Sequence, residues 1–192
     1  MKTLLVVVDM QNDFVDGALG SDQAKMIVLN VKKLMDDIFD ETNGQCHLIV
    51  TKDTHYADYM ETNEGKHLPV PHCIKDTEGW DLNRVIRDEC LFFRHGKKII
   101  TKPTFGSIEF ADILRQPEYD DLDEIVFCGL CTDICVVSNV LIAKATRPET
   151  EIKVYADCCA GVTPEKHEAA LDTMESCQIT VVNRGKEPWK TV

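Results

Sequence analysis

The stretch EIVFCGLCTDICVVSNVLIAKA, residues 124–145, decides how the rest of the chain is read. EIVFCGL (124–130) is a continuous apolar run of strand length, and DICVVSNVLIAKA (133–145) is a mostly apolar run long enough to be a buried helix. A buried strand turning directly into a buried helix is the repeating step of a parallel α/β sheet. Three cysteines, Cys128, Cys131 and Cys135, fall within it. Their spacing alone leaves open a metal or iron–sulfur ligand run, a redox pair, or one nucleophile with two bystanders.

The same alternation extends in both directions. TLLVVVD (3–9), HLIVTKD (47–53), KKIITK (97–102), EIKVYAD (151–157) and QITVVN (178–183) read as further strands. Between them, Ala24, Ile27, Val28, Val31, Leu34, Met35 and Ile38 recur at helical spacing over 22–40, opened by Ser21 or Asp22 as N-cap. A short helix over 107–116 starts at Ser107, and another over 163–177 has Thr163 as cap with Pro164 at its first position. Six strands alternating with helices predict a single α/β domain over 1–192, with a six-stranded, mainly parallel sheet covered on both faces. One non-periodic insert, 54–80, exceeds the usual connection length, which marks it as functional.

The formal net charge of −12 is spread along the chain, which excludes nucleic acid and anionic membrane as main partners. The N-terminal apolar run meets Asp9 too soon for a signal peptide, and no run is long enough to span a bilayer. Nine cysteines, an odd number set mostly in apolar stretches, read as reduced thiols in a cytoplasmic protein.

In an open parallel sheet the carboxyl ends of the strands share one edge, where ligands bind. Asp9, Asp53 with His55, Lys102, and the loop bearing Cys131 and Cys135 all follow strands here. Cys128, inside its strand, is a core residue. With Thr132 or Asp133 as N-cap, Cys135 sits in the first helical turn, where unpaired N–H groups and the helix dipole favour a thiolate. A cluster would need at least three converging sulfurs, and a redox pair a CxxC turn rather than CxxxC, so the nucleophile is the better reading.

Together DMQNDFVDG (9–17), TKDTH…PHC (51–73), TKPTFG (101–106) and GLCTDICV (129–136) resemble the isochorismatase-like cysteine hydrolases, and within them the nicotinamidase/pyrazinamidase group. The resemblance runs over nearly the whole chain and implies a catalytic triad of Asp9, Lys102 and Cys135 acting on a small-molecule amide. It implies an oxyanion hole from the backbone N–H groups of Cys131 and Cys135, with a cis Leu130–Cys131 peptide, and a pocket lined by Phe14 and Phe105. Another small amide or ureido acid is the alternative substrate. A non-catalytic redox or metal-cluster protein built on Cys128, Cys131 and Cys135 is the alternative from another class.

Asp53 and His55 point the same way from an extended segment, and His72 returns from the insert, a set that suits Zn²⁺ first and Fe²⁺ or Mn²⁺ next. The resemblance supplies a fourth ligand, Glu64, with His67 as its rival. Where that group carries an aromatic residue before the last metal histidine, this chain has HLPVPH, so Leu68 or Val70 forms an apolar wall instead. His47, His95 and His167 are read as solvated or structural. The resemblance also implies a homo-oligomer.

Overall fold

The computed structural model describes residues 2–93 and 96–190, so His95 lies outside the described residues. β1 (Thr3–Val8), β2 (His47–Asp53), β3 (Lys97–Lys102), β4 (Glu124–Leu130), β5 (Glu151–Ala160) and β6 (Thr180–Val182) form one sheet of order β3-β2-β1-β4-β5-β6. Every pairing in it is parallel. All six residues of β1 and all seven of β4 are buried, because these central strands are covered on both faces; this is why they read as unbroken apolar runs. β3, at the sheet edge, keeps only alternate residues of its second half buried, which leaves Ile99 exposed.

The helices are α1 (Asn12–Val15), α2 (Asp22–Glu41), α3 (Asn63–His67), α4 (Arg84–Glu89), α5 (Ile108–Leu114), α6 (Val137–Thr146) and α7 (Pro164–Ser176). The seven apolar residues expected along α2 are its buried stripe, and Ser21 accepts from the Ala24 N–H as N-cap. Ser107 and Thr163 cap α5 and α7 in the same way. α2 packs with α4, while α5, α6 and α7 pack in succession. The chain leaves β1 toward β2 but reaches β4 on the opposite side. The sheet therefore has its switch point between β1 and β4, with a crevice beyond their carboxyl ends.

Several boundaries differ from the sequence reading. β5 runs three residues further, to Ala160, because Gly129 and Leu130 of β4 pair with Cys159 and Ala160 beyond a register shift. β6 is shorter than the 178–183 run, since Gln178 has a positive φ of 66° and ends the turn after α7. The 133–145 helix divides into a π-helical turn, Thr132–Val136, and α6. Cys131, not Thr132 or Asp133, takes the N-cap position of that turn. The short helices α1 and α4 have too little periodicity to be read from sequence. The insert is ordered around Tyr59–Glu61 and α3, and among the described residues no helix is long and apolar enough to cross a membrane.

Candidate active site and metal centre

Strand register brings the charged groups together before any loop is considered. Asp53 and Lys102 are register partners at the ends of β2 and β3, and Val8 pairs with Thr51 one strand over. Asp9 then leaves β1 with a φ of +48°, in the left-handed region that Asp tolerates better than most residues. Its N–H donates to the Thr51 carbonyl (3.1 Å), and its Oδ1 accepts from the Thr51 hydroxyl at 2.6 Å. The Lys102 side chain reaches from β3 past β2 to the end of β1. Its Nζ lies 2.6 Å from Asp9 Oδ2, 3.6 Å from Asp53 Oδ1 and 3.4 Å from Cys135 Sγ. All four side chains are buried.

Burial and charge set the protonation states. Burial raises the Asp9 carboxyl above its usual range, and the Lys102 charge offsets only part of that. Burial alone would lower the Lys102 ammonium, but the charges of Asp9, Cys135 and Asp53 reverse the direction and hold it protonated. Cys135 corrects the sequence expectation. The residue is 3% exposed, and burial followed by the negative charge of Asp9 pushes the thiol well above its ordinary value. The dipole of one turn does not outweigh that desolvation. Burial thus favours the thiol form of Cys135, beside a carboxylate whose basicity burial enhances.

A second cluster adjoins the first through Asp53. Its Oδ2 lies 3.1 Å from His55 Nε2 and 3.5 Å from His72 Nε2, and Glu64 Oε1 stands 3.5 and 3.6 Å from the same two nitrogens. Ligands held at about 2.0–2.1 Å in a tetrahedron are about 3.3 Å apart, so this set suits one divalent ion. His72 Nδ1 is 2.8 Å from the Val70 carbonyl, which takes the ring's N–H and leaves Nε2 to face the cluster. Asp53 Oδ1 has no hydrogen-bond donor. The donors fit a metal. Glu64 joins the cluster from the first turn of α3, whereas His67 turns outward and bonds the Asn63 carbonyl at 2.8 Å.

Residues 3–185 match the isochorismatase domain model. The chain belongs to the isochorismatase family. It is 28% identical over 189 residues to the nicotinamidase/pyrazinamidase of Mycobacterium tuberculosis, covering 93% of this chain and 97% of that one. Among solved structures, the nicotinamidase/pyrazinamidase of Bacillus subtilis superposes with a TM-score of 0.79 at 28% identity, over 95% of this chain and 100% of that one. The pyrazinamidase of Pyrococcus horikoshii, solved in complex with zinc, gives 0.75 at 27% identity, over 95% and 99%. This isochorismatase-family protein is a hydrolase of amide bonds.

The hydrolase presents both clusters to one cavity of about 480 Å³, lined among others by Phe14, Asp53, Glu64, Leu68, His72, Phe105, Cys131 and Cys135. That volume lies within the range of small-molecule sites. Leu68 rather than Val70 reaches the wall, and the Phe14 ring packs 5.5 Å from that of His72. Cys128 points into the sheet, its sulfur 3.9 Å from the Val6 carbonyl, so three sulfurs do not converge. The Leu130–Cys131 peptide is cis.

Sequence reasoning missed the residues that hold these groups in place. Gln11 clamps the Asp53 backbone from both sides, its Nε2 donating to the Asp53 carbonyl (2.9 Å) and its Oε1 accepting from the Asp53 N–H (2.6 Å). Tyr59 packs edge-on against both cluster histidines, at 4.7 and 5.1 Å, and its hydroxyl donates to the Leu68 carbonyl. Asn139 ties the Cys135 carbonyl to the Phe105 carbonyl and the Ser107 N–H. Gln11 stands in the DMQ motif, which was the only available signal. Asn139 acts through partners 32 and 34 residues away, and Tyr59 through contacts inside the aperiodic insert. His47 is half-buried beside Glu118 and Tyr119, and His167 is wholly buried; neither reaches the cavity.

Proposed function

We propose that this hydrolase is a nicotinamidase, converting nicotinamide and water to nicotinate and ammonia through a thioester on Cys135. The observation that carries the reading is a single cavity lined by the Cys135 thiol and by three members of the Asp53–His55–Glu64–His72 set. One wall can fix an aromatic ring through its nitrogen while the other presents a nucleophile to the carboxamide.

Asp9 takes the proton from Cys135 as the sulfur attacks the carbonyl carbon. The backbone N–H groups of Cys131 and Cys135 receive the negative oxygen, where loss of one donor typically costs about 2.7–4 kcal/mol. Asp9 passes its proton to the amide nitrogen, the C–N bond breaks, and ammonia leaves a thioester. Asp9 next deprotonates a water that attacks the thioester. Collapse of the second intermediate expels the sulfur, which regains its proton from Asp9 and releases the acid. Lys102 keeps its charge throughout and holds Asp9 and Cys135 in register.

Asp53, His55, Glu64 and His72 would hold the metal, and two imidazoles with two carboxylates favour zinc. When bound, it supplies a Lewis-acidic anchor for the ring nitrogen. Phe14, Leu68 and Phe105 form the apolar walls of the substrate site. Free thiols at all nine cysteines accord with a reducing cytoplasmic setting, and the reading includes the family's tendency to homo-oligomers.

The test is ammonia release from a panel of nicotinamide, pyrazinamide, aliphatic amides and ureido acids, by protein loaded with zinc and protein stripped by chelator. Turnover of nicotinamide by the loaded form with a covalent acyl adduct on Cys135 by mass spectrometry is expected. Activity confined to a ureido acid would move the substrate and leave the nucleophile.

A further inference from the structure

Behind the Cys131–Cys135 turn lies a buried line of polar side chains that the chemistry above does not use. Thr132 Oγ1 lies 2.8 Å from His167 Nδ1, and His167 Nε2 lies 3.5 Å from Glu187 Oε1. All three residues are wholly buried, and none lines a described cavity. The set has the composition of a hydroxyl nucleophile, a base and an orienting carboxylate, yet no substrate can reach it. A metal is excluded as its purpose by the cations already present. Lys190 Nζ stands 3.0 Å from Glu187 Oε2, and both Lys190 and Arg184 pair with Glu168.

The location of the line gives its purpose. The nucleophile turn has π-helical bonding, with the Val136 N–H reaching back to the Cys131 carbonyl at 3.1 Å, and its N-cap has no side-chain hydrogen bond. A short irregular turn of this kind does not hold itself. Besides Asn139, which holds the Cys135 carbonyl, two ties reach the start of the turn from outside it. Asp133 Oδ1 accepts from the Val162 N–H at 2.9 Å, and Thr132 meets His167 on α7. Gly161 lets these parts approach, since a Cβ there would stand 2.8 Å from the His167 backbone nitrogen and 2.9 Å from Asp133 Oδ1. The C-terminal segment packs on His167, with the Trp189 ring edge-on at 5.3 Å and Glu187 Oε1 3.5 Å from Nε2, a close approach without a formed hydrogen bond. Burial keeps the imidazole neutral, so Nδ1 accepts from the Thr132 hydroxyl while Nε2–H faces the carboxylate.

We propose that His167 is a positioning residue: through Thr132 it fixes the turn that presents Cys131 and Cys135, and Glu187 in the C-terminal segment fixes His167. The inference rests on the cysteine-amidase reading, in which a small displacement of that turn separates sulfur, oxyanion donors and Asp9 together.

The experiment compares zinc-loaded wild type with Thr132→Val, His167→Phe, His167→Asn and Glu187→Gln, measuring kcat, KM for nicotinamide, thermal melting, and the rate of Cys135 alkylation by iodoacetamide. Thr132→Val removes only the hydroxyl, and His167→Asn keeps a polar atom near the Nδ1 position. Thr132→Val and His167→Phe should lower kcat about 10- to 100-fold, the usual range for loss of an orienting partner, with little change in KM. Alkylation should change in the same variants, and His167→Asn should recover much of the loss. Folded Thr132→Val and His167→Phe proteins with unchanged kcat and alkylation, even at a lower melting temperature, would overturn the proposal. Should those variants fail to fold, Glu187→Gln decides: it should lower kcat in the same direction, and an unchanged kcat refutes the coupling. If wild type hydrolyses no amide, the functional reading fails, and the alkylation rates still decide this one.

Discussion

Replacing Lys102 by methionine separates structural charge balance from chemistry. The ammonium is 2% exposed and faces Asp9 at 2.6 Å and Asp53 at 3.6 Å, both buried. Lys102→Met leaves these carboxylates without their shared cation at nearly unchanged side-chain volume. Removing one partner of a buried pair costs about 3–5 kcal/mol. At about 2–4 °C per kcal/mol for a chain of this size, metal-free Lys102→Met should melt about 6–20 °C below wild type at pH 8. The pH dependence has a definite sign. Burial already raises the folded Asp9 carboxyl above its unfolded value, and loss of Lys102 raises it further. A carboxyl raised on folding destabilises the native state at pH values above its folded pKa. That cost fades as pH falls through the folded value, and vanishes below the unfolded one. The gap between variant and wild type should therefore narrow between pH 8 and pH 5. Adding Asp9→Asn to Lys102→Met should recover part of the melting temperature at pH 8 while leaving kcat at its floor. The assay is calorimetric melting at both pH values, paired with ammonia release. A deficit below about 1 kcal/mol, the scale of a surface pair, or a double variant no more stable than the single one, refutes the buried-charge argument.

Cys135→Ala should abolish turnover and Cys128→Ala should keep most of it, since only the former sulfur reaches the cavity; comparable loss of kcat in both would sink the nucleophile assignment. His72→Ala should remove bound zinc, measured by elemental analysis, and raise KM far more than it slows alkylation of Cys135. Burial alone would lower His55, but its bonds to Asp53 and Glu64 raise it to about 9, so zinc must displace a proton there. Zinc affinity should then rise about tenfold per pH unit below that value, and calorimetry in buffers of different ionisation enthalpy should detect the released proton; pH-independent affinity would contradict it. Gly129→Ala should destabilise the fold and depress kcat together. Gly129 has a φ of +119°, and a Cβ there would stand 2.1 Å from the Val8 carbonyl, forcing the end of β4 away from β1 and Asp9. Wild-type melting and activity would refute that constraint.

The features legible in the sequence were those carried by local pattern. Central strands such as 3–8 and 124–130 read correctly because burial on both faces removes polar residues from them. α2 read correctly because its one buried face leaves seven apolar residues at helical spacing. The strand-end rule then gathered Asp9, Asp53, Lys102 and Cys135, since register alone aligns strand termini. What failed depended on depth or on distant partners. The state of the Cys135 thiol could not be read from helix position, because the deciding quantity is its desolvation beside Asp9. Gln11 and Asn139 act by hydrogen bonds across tens of residues, and Tyr59 by contacts within an aperiodic insert, and no spacing in the chain encodes those.

The charge balance at the sheet edge ties these observations together. Asp9, Asp53 and Glu64 bring three carboxylates to one largely buried region, and Lys102 is the only permanent cation that reaches them there among the described residues. Two negative charges remain, in surroundings where unpaired charge is expensive. A divalent ion held by Asp53, His55, Glu64 and His72 neutralises both, and a proton on His55 is the smaller substitute in its absence. The same balance accounts for the thiol. Ionising Cys135 would place a negative charge beside Asp9 in a desolvated site, and burial together with that neighbouring charge raises the thiol. Asp53 joins the two halves, turning Oδ2 to the histidines and Oδ1 to Lys102, with its backbone gripped by Gln11. Strand ends thus place Asp9, Asp53 and Lys102, and the long insert brings His55, Glu64 and His72 to Asp53 and Leu68 to the cavity wall.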